Sequence, residues 1–164
     1  MANGRDGQIA AMSATSSAVL LTLAGLAATE ALAAAIAKRV RRGDAILLEG
    51  PLGAGKTAFA RAFLRAATDD PALEVPSPSF TLVQSYATPL GAVHHFDLWR
   101  IDSPAALIEL GWDEALADIV LVEWPDRLGP LRPADALTIA LQPAAGGARR
   151  AVLSGWTERI GGLA

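Results

Sequence analysis

An α/β fold, with a mostly parallel central sheet, antiparallel hairpin additions and helices on both faces, is predicted by three features of the 164-residue sequence. The apolar run Ala45-Ile46-Leu47-Leu48-Glu49 leads through a glycine-rich turn into residues 56–67, where Phe59, Phe63 and Ala66 recur at helical spacing, giving a strand–turn–helix unit. Ile119-Val120-Leu121-Val122 is apolar without alternation, as a strand buried on both faces requires. Two further pairs of β-rich segments are separated by turn residues and read as hairpins. A chain of this length forms one domain with a substantial core.

In chain order, residues 1–17 are small and polar without periodicity and read as a disordered leader, ahead of a domain at 18–157 and a C-terminal tail at 158–164. Residues 19–24 read as a strand. Residues 29–39 read as a helix with Thr29 as N-cap and with Lys38, Arg39, Arg41 and Arg42 at its C-terminal end, where the helix dipole favours cations. Gly43-Asp44 turns the chain into the 45–49 strand. After the helix at 56–67, Thr68-Asp69-Asp70-Pro71 breaks helicity, and Val75-Pro76-Ser77-Pro78-Ser79-Phe80 is a proline-stiffened loop. Residues 81–87 and 92–99 form the first hairpin across Thr88-Pro89-Leu90-Gly91. Residues 104–110 and 112–117 are short helices divided by Gly111, 119–122 is the buried strand, and 136–141 with 150–154 make the second hairpin across 143–148. Ligands are expected at the carboxyl ends of the strands in such a sheet.

Composition narrows the function. Fourteen Lys+Arg against seventeen Asp+Glu give a net charge of −3, so no global basic surface is available to grip nucleic acid. With no cysteine, disulfides and thiolate zinc sites are excluded, which fits a reducing, cytoplasmic setting. The apolar stretch 18–27, followed by Ala31-Leu32-Ala33, superficially matches a signal peptide. Arg5 is offset by Asp6, however, the run is too short and rich in small residues to span a bilayer, and Glu30 precedes the supposed cleavage point.

The turn of the first unit carries the chemistry. Gly50-Pro51-Leu52-Gly53-Ala54-Gly55-Lys56-Thr57 fits G-x-x-x-x-G-K-[ST], the P-loop pattern, in its required strand-to-helix context. Backbone N–H groups along Leu52, Gly53, Ala54, Gly55, Lys56, Thr57 and Ala58 are expected to cradle the phosphates of ATP at the helix N-terminus. Lys56 is expected to reach the β and γ phosphates and Thr57 to hold Mg²⁺. A second acidic group must complete the magnesium site, and Glu123, which ends the buried strand just before Trp124-Pro125, is the candidate.

Asp97, in His94-His95-Phe96-Asp97-Leu98-Trp99-Arg100, reads equally as a water- or metal-positioning carboxylate and as the ion-pair partner of Arg100, with the histidines as half-buried strand residues. The Ser77-Pro78-Ser79-Phe80-Thr81 loop offers hydroxyls in the position of a nucleotide-sensing switch, or else is a connector. Arg149 and Arg150 stand beside a Gly-Gly turn, where a solvated end competes with a nucleotide contact. Trp112 and Trp156 read as core or interface aromatics.

Four blocks in order resemble the bacterial TsaE (YjeE) family of P-loop ATPases, which act in threonylcarbamoyladenosine formation in tRNA. They are Leu52-Gly53-Ala54-Gly55-Lys56-Thr57, Val75-Pro76-Ser77-Pro78-Ser79-Phe80-Thr81-Leu82-Val83, His95-Phe96-Asp97-Leu98-Trp99-Arg100 and Val122-Glu123-Trp124-Pro125. The resemblance runs from Thr29 to about Gly155. It implies that Lys56 is the phosphate ligand, Thr57 and Glu123 the magnesium ligands, and Asp97 an activity-critical acid near the metal. The family's usual Ser-Pro-Thr is Ser77-Pro78-Ser79 here, and its usual tyrosine is Trp99. Its C-terminal arginine corresponds to Arg149 or Arg150. The resemblance further implies an accessory ATPase that acts on the TsaB and TsaD proteins of the threonylcarbamoyl-transfer complex and meets tRNA only indirectly.

Two other readings compete. A small-molecule P-loop kinase would need an arginine-rich lid, for which only Arg127 and Arg132 fall in a plausible loop. A non-catalytic nucleotide-gated adaptor would switch a partner surface by binding alone.

Overall fold

The computed structural model describes residues 17–163, so the expected leader, Ser17 apart, lies outside the described residues. Seven strands form one sheet in the order β1-β7-β6-β2-β5-β4-β3. They are β1 (Val19–Leu23), β2 (Ala45–Glu49), β3 (Val83–Thr88), β4 (Gly91–Asp97), β5 (Ile119–Glu123), β6 (Leu137–Pro143) and β7 (Arg149–Ser154). The central pairs β6/β2, β2/β5 and β5/β4 are parallel. The outer pairs β1/β7, β7/β6 and β4/β3 are antiparallel. The predicted α/β class, parallel centre and both hairpins are therefore present.

Period-two alternation in the central strands feeds two cores. Ile46 and Leu48 of β2 and Ile119 and Leu121 of β5 pack on one face of the sheet, under α1 (Leu26–Ala37) and α2 (Lys56–Thr68). Leu47, Val120 and Val122 pack on the other, where α3 (Pro104–Glu109) and α4 (Trp112–Ala115) bring Leu107 and Trp112. Trp112 is a core aromatic, edge-on to Phe96 with ring centroids 5.2 Å apart.

Several boundaries differ from expectation. The first helix begins at Leu26 with Gly25, not Thr29, at its N-cap, and Thr29 is buried inside the helix. Leu26-Ala27-Ala28 has high helix propensity, so the helix extends past the favoured capping residue. The apolar stretch that superficially matches a signal peptide is divided between β1 and α1. In α2 the buried face is Phe59, Ala60, Phe63 and Leu64, while Ala66 is exposed. The β3 strand starts only at Val83, because Leu82 adopts φ 66° and donates its N–H to Pro78 O. Pro125–Leu131, for which the sequence shows no helical period, coils as a 3₁₀ segment. Residues expected in the tail are docked: α5 (Thr157–Ile160) buries Ile160, and Arg159 pairs with Asp44 at 2.6 Å.

Candidate functional site

At the carboxyl ends of β2, β4 and β5 lies a cavity of about 360 Å³. Its floor is the loop between β2 and α2. Gly50 there leaves no room for a Cβ, which would collide with Leu141 O of the neighbouring β6. Gly55, at φ 104°, turns the chain into α2 in a conformation that side chains disfavour. The first turn of α2 thereby opens toward the cavity, which Lys56, Thr57 and Ala58 line. No acidic residue occupies that turn, so its N–H groups and dipole are free to meet an anion.

Lys56 is buried at 5% exposure. Its Nζ donates to Gly50 O and Pro51 O and lies 3.3 Å from the centroid of the Trp124 ring. Burial pushes its pKa below the ordinary 10.5, against the raising influence of Glu123, Asp97 and Asp126. Trp124 is placed over it by a left-handed backbone, φ 60°, and also meets Trp99 with centroids 4.3 Å apart.

Thr57 Oγ1 donates to Glu123 Oε1 at 2.8 Å, joining the helix to the end of β5. Across the parallel ladder Glu123 is the register partner of Asp97. Both carboxylates are buried, at 2% and 6% exposure, and both line the cavity. Asp97 does not pair with Arg100: its Oδ1 accepts from Trp99 N at 3.1 Å and its Oδ2 from Ser79 Oγ at 3.2 Å. Ser77 and Ser79 are themselves linked at 2.8 Å, so the proline-stiffened loop is tied to the end of β4. Arg100 instead stacks over Phe80, 5.2 Å from its centroid.

Thr57 and Glu123 present adjacent oxygen donors, the chemistry Mg²⁺ selects. Among the described residues no group of three or more His, Cys, Asp and Glu side chains could hold a metal.

Two residues stand out that the sequence left open or passed over. Arg149 reaches back from β7 to donate to Ala54 O at 2.9 Å and Gly53 O at 3.4 Å, whereas Arg150 points to solvent. His95 is fully buried, with Nε2 2.8 Å from Glu123 Oε2. Parity along β4 links His95 with Asp97, but pairing with Glu123 depends on the β4/β5 register. His94 faces Ser85 and Asp118, away from the cavity.

Comparison with known proteins gives the chain's family and fold relatives. The family model described as threonylcarbamoyl adenosine biosynthesis protein TsaE matches residues 23–152. A Rickettsia felis protein named tRNA threonylcarbamoyladenosine biosynthesis protein TsaE is 35% identical over 115 residues, 70% of this chain and 67% of its own length. The chain spans about two thirds of the length of that relative and of its Rickettsia conorii counterpart. A Bacillus subtilis protein of the same name is 32% identical over 118 residues, covering 71% of this chain and 72% of that one. The crystal structure of Bacillus YdiB superposes with a TM-score of 0.74 at 25% identity, covering 92% of this chain and 94% of that one.

Proposed function

The chain belongs to the TsaE family of threonylcarbamoyl adenosine biosynthesis proteins, and from that premise we propose that it binds ATP with Mg²⁺ in the cavity at the strand ends and hydrolyses it. The observation that carries the reading is the convergence of Lys56, Thr57, Glu123 and Asp97 on one cavity at the N-terminus of α2. The backbone N–H groups from Leu52 to Ala58 hold the phosphates, and Lys56 supplies their charge-assisted contact. Thr57 and Glu123 hold the cation, whose chemistry when bound is to neutralise developing phosphate charge. Asp97, beside that pair, positions the attacking water. Arg149, with its guanidinium already on the loop that faces the phosphates, is the arginine that contacts nucleotide.

Hydrolysis serves the TsaB–TsaD pair, and tRNA is met only through it. The net charge of −3 supports that indirect role. The kinase reading is less favoured, because Arg127 lies 3.5 Å from Ile101 O and Arg132 is paired with Glu49 at 2.6 Å. No helix among the described residues is long and apolar enough to cross a membrane.

Phosphate release from Mg²⁺–ATP, measured without any acceptor, tests the reading. Turnover that depends on Mg²⁺ and disappears in Asp97→Asn supports it. Nucleotide binding with no turnover, alone or with partners, would leave the adaptor instead.

A further inference from the structure

The carboxylate of Glu123 divides its two oxygens between two neighbours. Oε1 accepts the Thr57 hydroxyl, and Oε2 lies 2.8 Å from His95 Nε2. Thr57 and Glu123 line the cavity, while His95 sits beneath it with no exposed surface. We propose that His95 is a positioning residue that restricts Glu123 to coordination through Oε1 alone and thereby makes the site select Mg²⁺ over Ca²⁺. The proposal rests on the magnesium–nucleotide reading above.

The chemistry follows from the ring's partners. An ionised carboxylate can only accept, so the hydrogen bond places the ring proton on Nε2. His95 Nδ1 is buried and has no partner, which leaves Glu123 as the ring's single hydrogen-bonding anchor. An imidazole kept in the core at the cost of an unpaired nitrogen is explained by what the other nitrogen does. The strands hold the bond in place: His95 and Asp97 lie on the same face of β4, and Leu121 and Glu123 are their respective register partners on β5.

Cation selectivity follows from the oxygen that remains. Mg²⁺ keeps a small octahedral shell at roughly 2.0–2.1 Å and takes one or two carboxylate contacts beside phosphates and water, whereas Ca²⁺ fills about six to eight sites and often takes both oxygens of a carboxylate. With Oε2 held by His95, Glu123 offers a single oxygen next to the Thr57 hydroxyl. That suits the smaller ion and denies the larger one a two-oxygen contact.

The test compares the 164-residue chain with His95→Leu, which has no donor, and His95→Gln, whose amide N–H falls near the position of Nε2. ADP affinity is measured by calorimetry with Mg²⁺, with Ca²⁺ and with chelator. His95→Leu is expected to weaken the Mg²⁺-supported affinity about tenfold or more, the usual range for losing a partner that orients a metal ligand. Ca²⁺-supported affinity should fall much less, so the Mg²⁺/Ca²⁺ ratio collapses, and His95→Gln should restore it. An unchanged ratio, or equal losses with both ions that track a lower melting temperature, overturns the proposal. Should His95→Leu fail to fold, ¹⁵N NMR of the wild-type imidazole still decides: a proton on Nε2 is expected, and one on Nδ1 refutes the bond. Wild-type ADP binding that ignores cations altogether removes the magnesium–nucleotide reading, whereas a wrong tautomer with intact Mg²⁺ dependence removes only the role of His95.

Discussion

Asp97 and Glu123 close the parallel ladder of β4 and β5 as direct partners, so two buried carboxylates leave the sheet side by side at its carboxyl edge. Like charges at that spacing repel unless something compensates them. Each has a different compensation: Thr57 and His95 face Glu123, while Ser79 and the Trp99 amide face Asp97. The Lys56 ammonium, whose pKa burial lowers while both acids pull the other way, completes the balance. One acid is thus tied to the helix that opens on the phosphate loop, and the other to the Ser77–Ser79 loop, which separates their expected effects.

Lys56→Met should weaken ATP binding roughly ten- to hundredfold, because one charge-assisted phosphate contact in a sheltered site contributes about 1.5–3 kcal/mol. Methionine also removes the charge that balances the two buried carboxylates and the donor to Gly50 O and Pro51 O, so the melting temperature should fall as well, and affinities are compared where both proteins are folded. Calorimetric affinity equal to wild type would remove the phosphate role of Lys56.

The pH dependence of the same residue has a definite sign. Its folded pKa lies below the ordinary 10.5 because of burial. Between the two values the unfolded chain keeps a proton that the folded protein has released, so stability rises with pH in that window. Below the window the cost of burying the charge is constant. Stability of the wild type relative to Lys56→Met should therefore improve as pH climbs through the window that ends at 10.5. Phosphate favours the charged amine, so nucleotide binding in the window should take up a proton and weaken with rising pH. Binding enthalpies in buffers of different ionisation heat measure the uptake, and proton release would contradict the assignment.

Glu123→Gln should leave metal-free nucleotide binding near wild type and abolish most of the gain that Mg²⁺ provides. Glu123→Ala goes further, since it also strands the buried His95 Nε2, and an unsatisfied buried donor costs about 1–3 kcal/mol. Thermal melts should consequently rank wild type above Glu123→Ala, with Glu123→Gln between. Equal Mg²⁺ dependence in all three proteins would make Glu123 structural.

The glycine-rich turn between β2 and α2 was legible because its pattern is local: eight consecutive residues carry it, and the flanking strand and helix are readable on either side. The place of Glu123 at the end of β5 was legible for a related reason, as the polar end of an otherwise apolar strand. His95, Trp124 and Arg149 were not, because each acquires its place from something nonlocal. His95 needs the β4/β5 register, Trp124 a left-handed backbone after β5, and Arg149 the return of β7 past the phosphate loop. For Asp97, alternation along one strand left the Arg100 ion pair open, and only the folded loop shows Ser79 and the Trp99 amide in its place. The start of α1 was misplaced because propensity over three residues outweighed the capping preference of one.

Asp97→Ala should release the loop as well as lower turnover. Its carboxylate accepts from Ser79 and from the Trp99 backbone, so the variant loses both ties while the P-loop contacts of Lys56 stay in place. Hydrogen exchange should accelerate across residues 77–82, and Ser79→Ala should reproduce part of that effect. Turnover lost without any change in loop exchange would mean that Asp97 acts on the chemistry alone.

Nucleotide and partner should be coupled through the same loop. Positioning of water and neutralisation of transition-state charge are the large terms in phosphoryl transfer, and a group supplied in trans contributes about 10³–10⁵ in rate. Within the cavity, Lys56 is held by loop carbonyls and the ring of Trp124, and Asp97 is engaged by Ser79 and Trp99. The isolated protein should therefore hydrolyse ATP slowly, and addition of TsaB and TsaD should accelerate it by rearranging the Ser77–Thr81 loop around the γ-phosphate. Coupling between two binding events is reciprocal, so ATP must strengthen association with the pair by the same factor that the pair strengthens ATP binding. The exposed Phe80 at the tip of the loop makes the direction testable at one residue. Phe80→Ser should leave ATP affinity of the isolated protein unchanged but reduce both the stimulation of turnover and the ATP-dependent gain in association. Equal association with and without ATP, together with an unstimulated rate, would show that the cavity and the partner surface are independent.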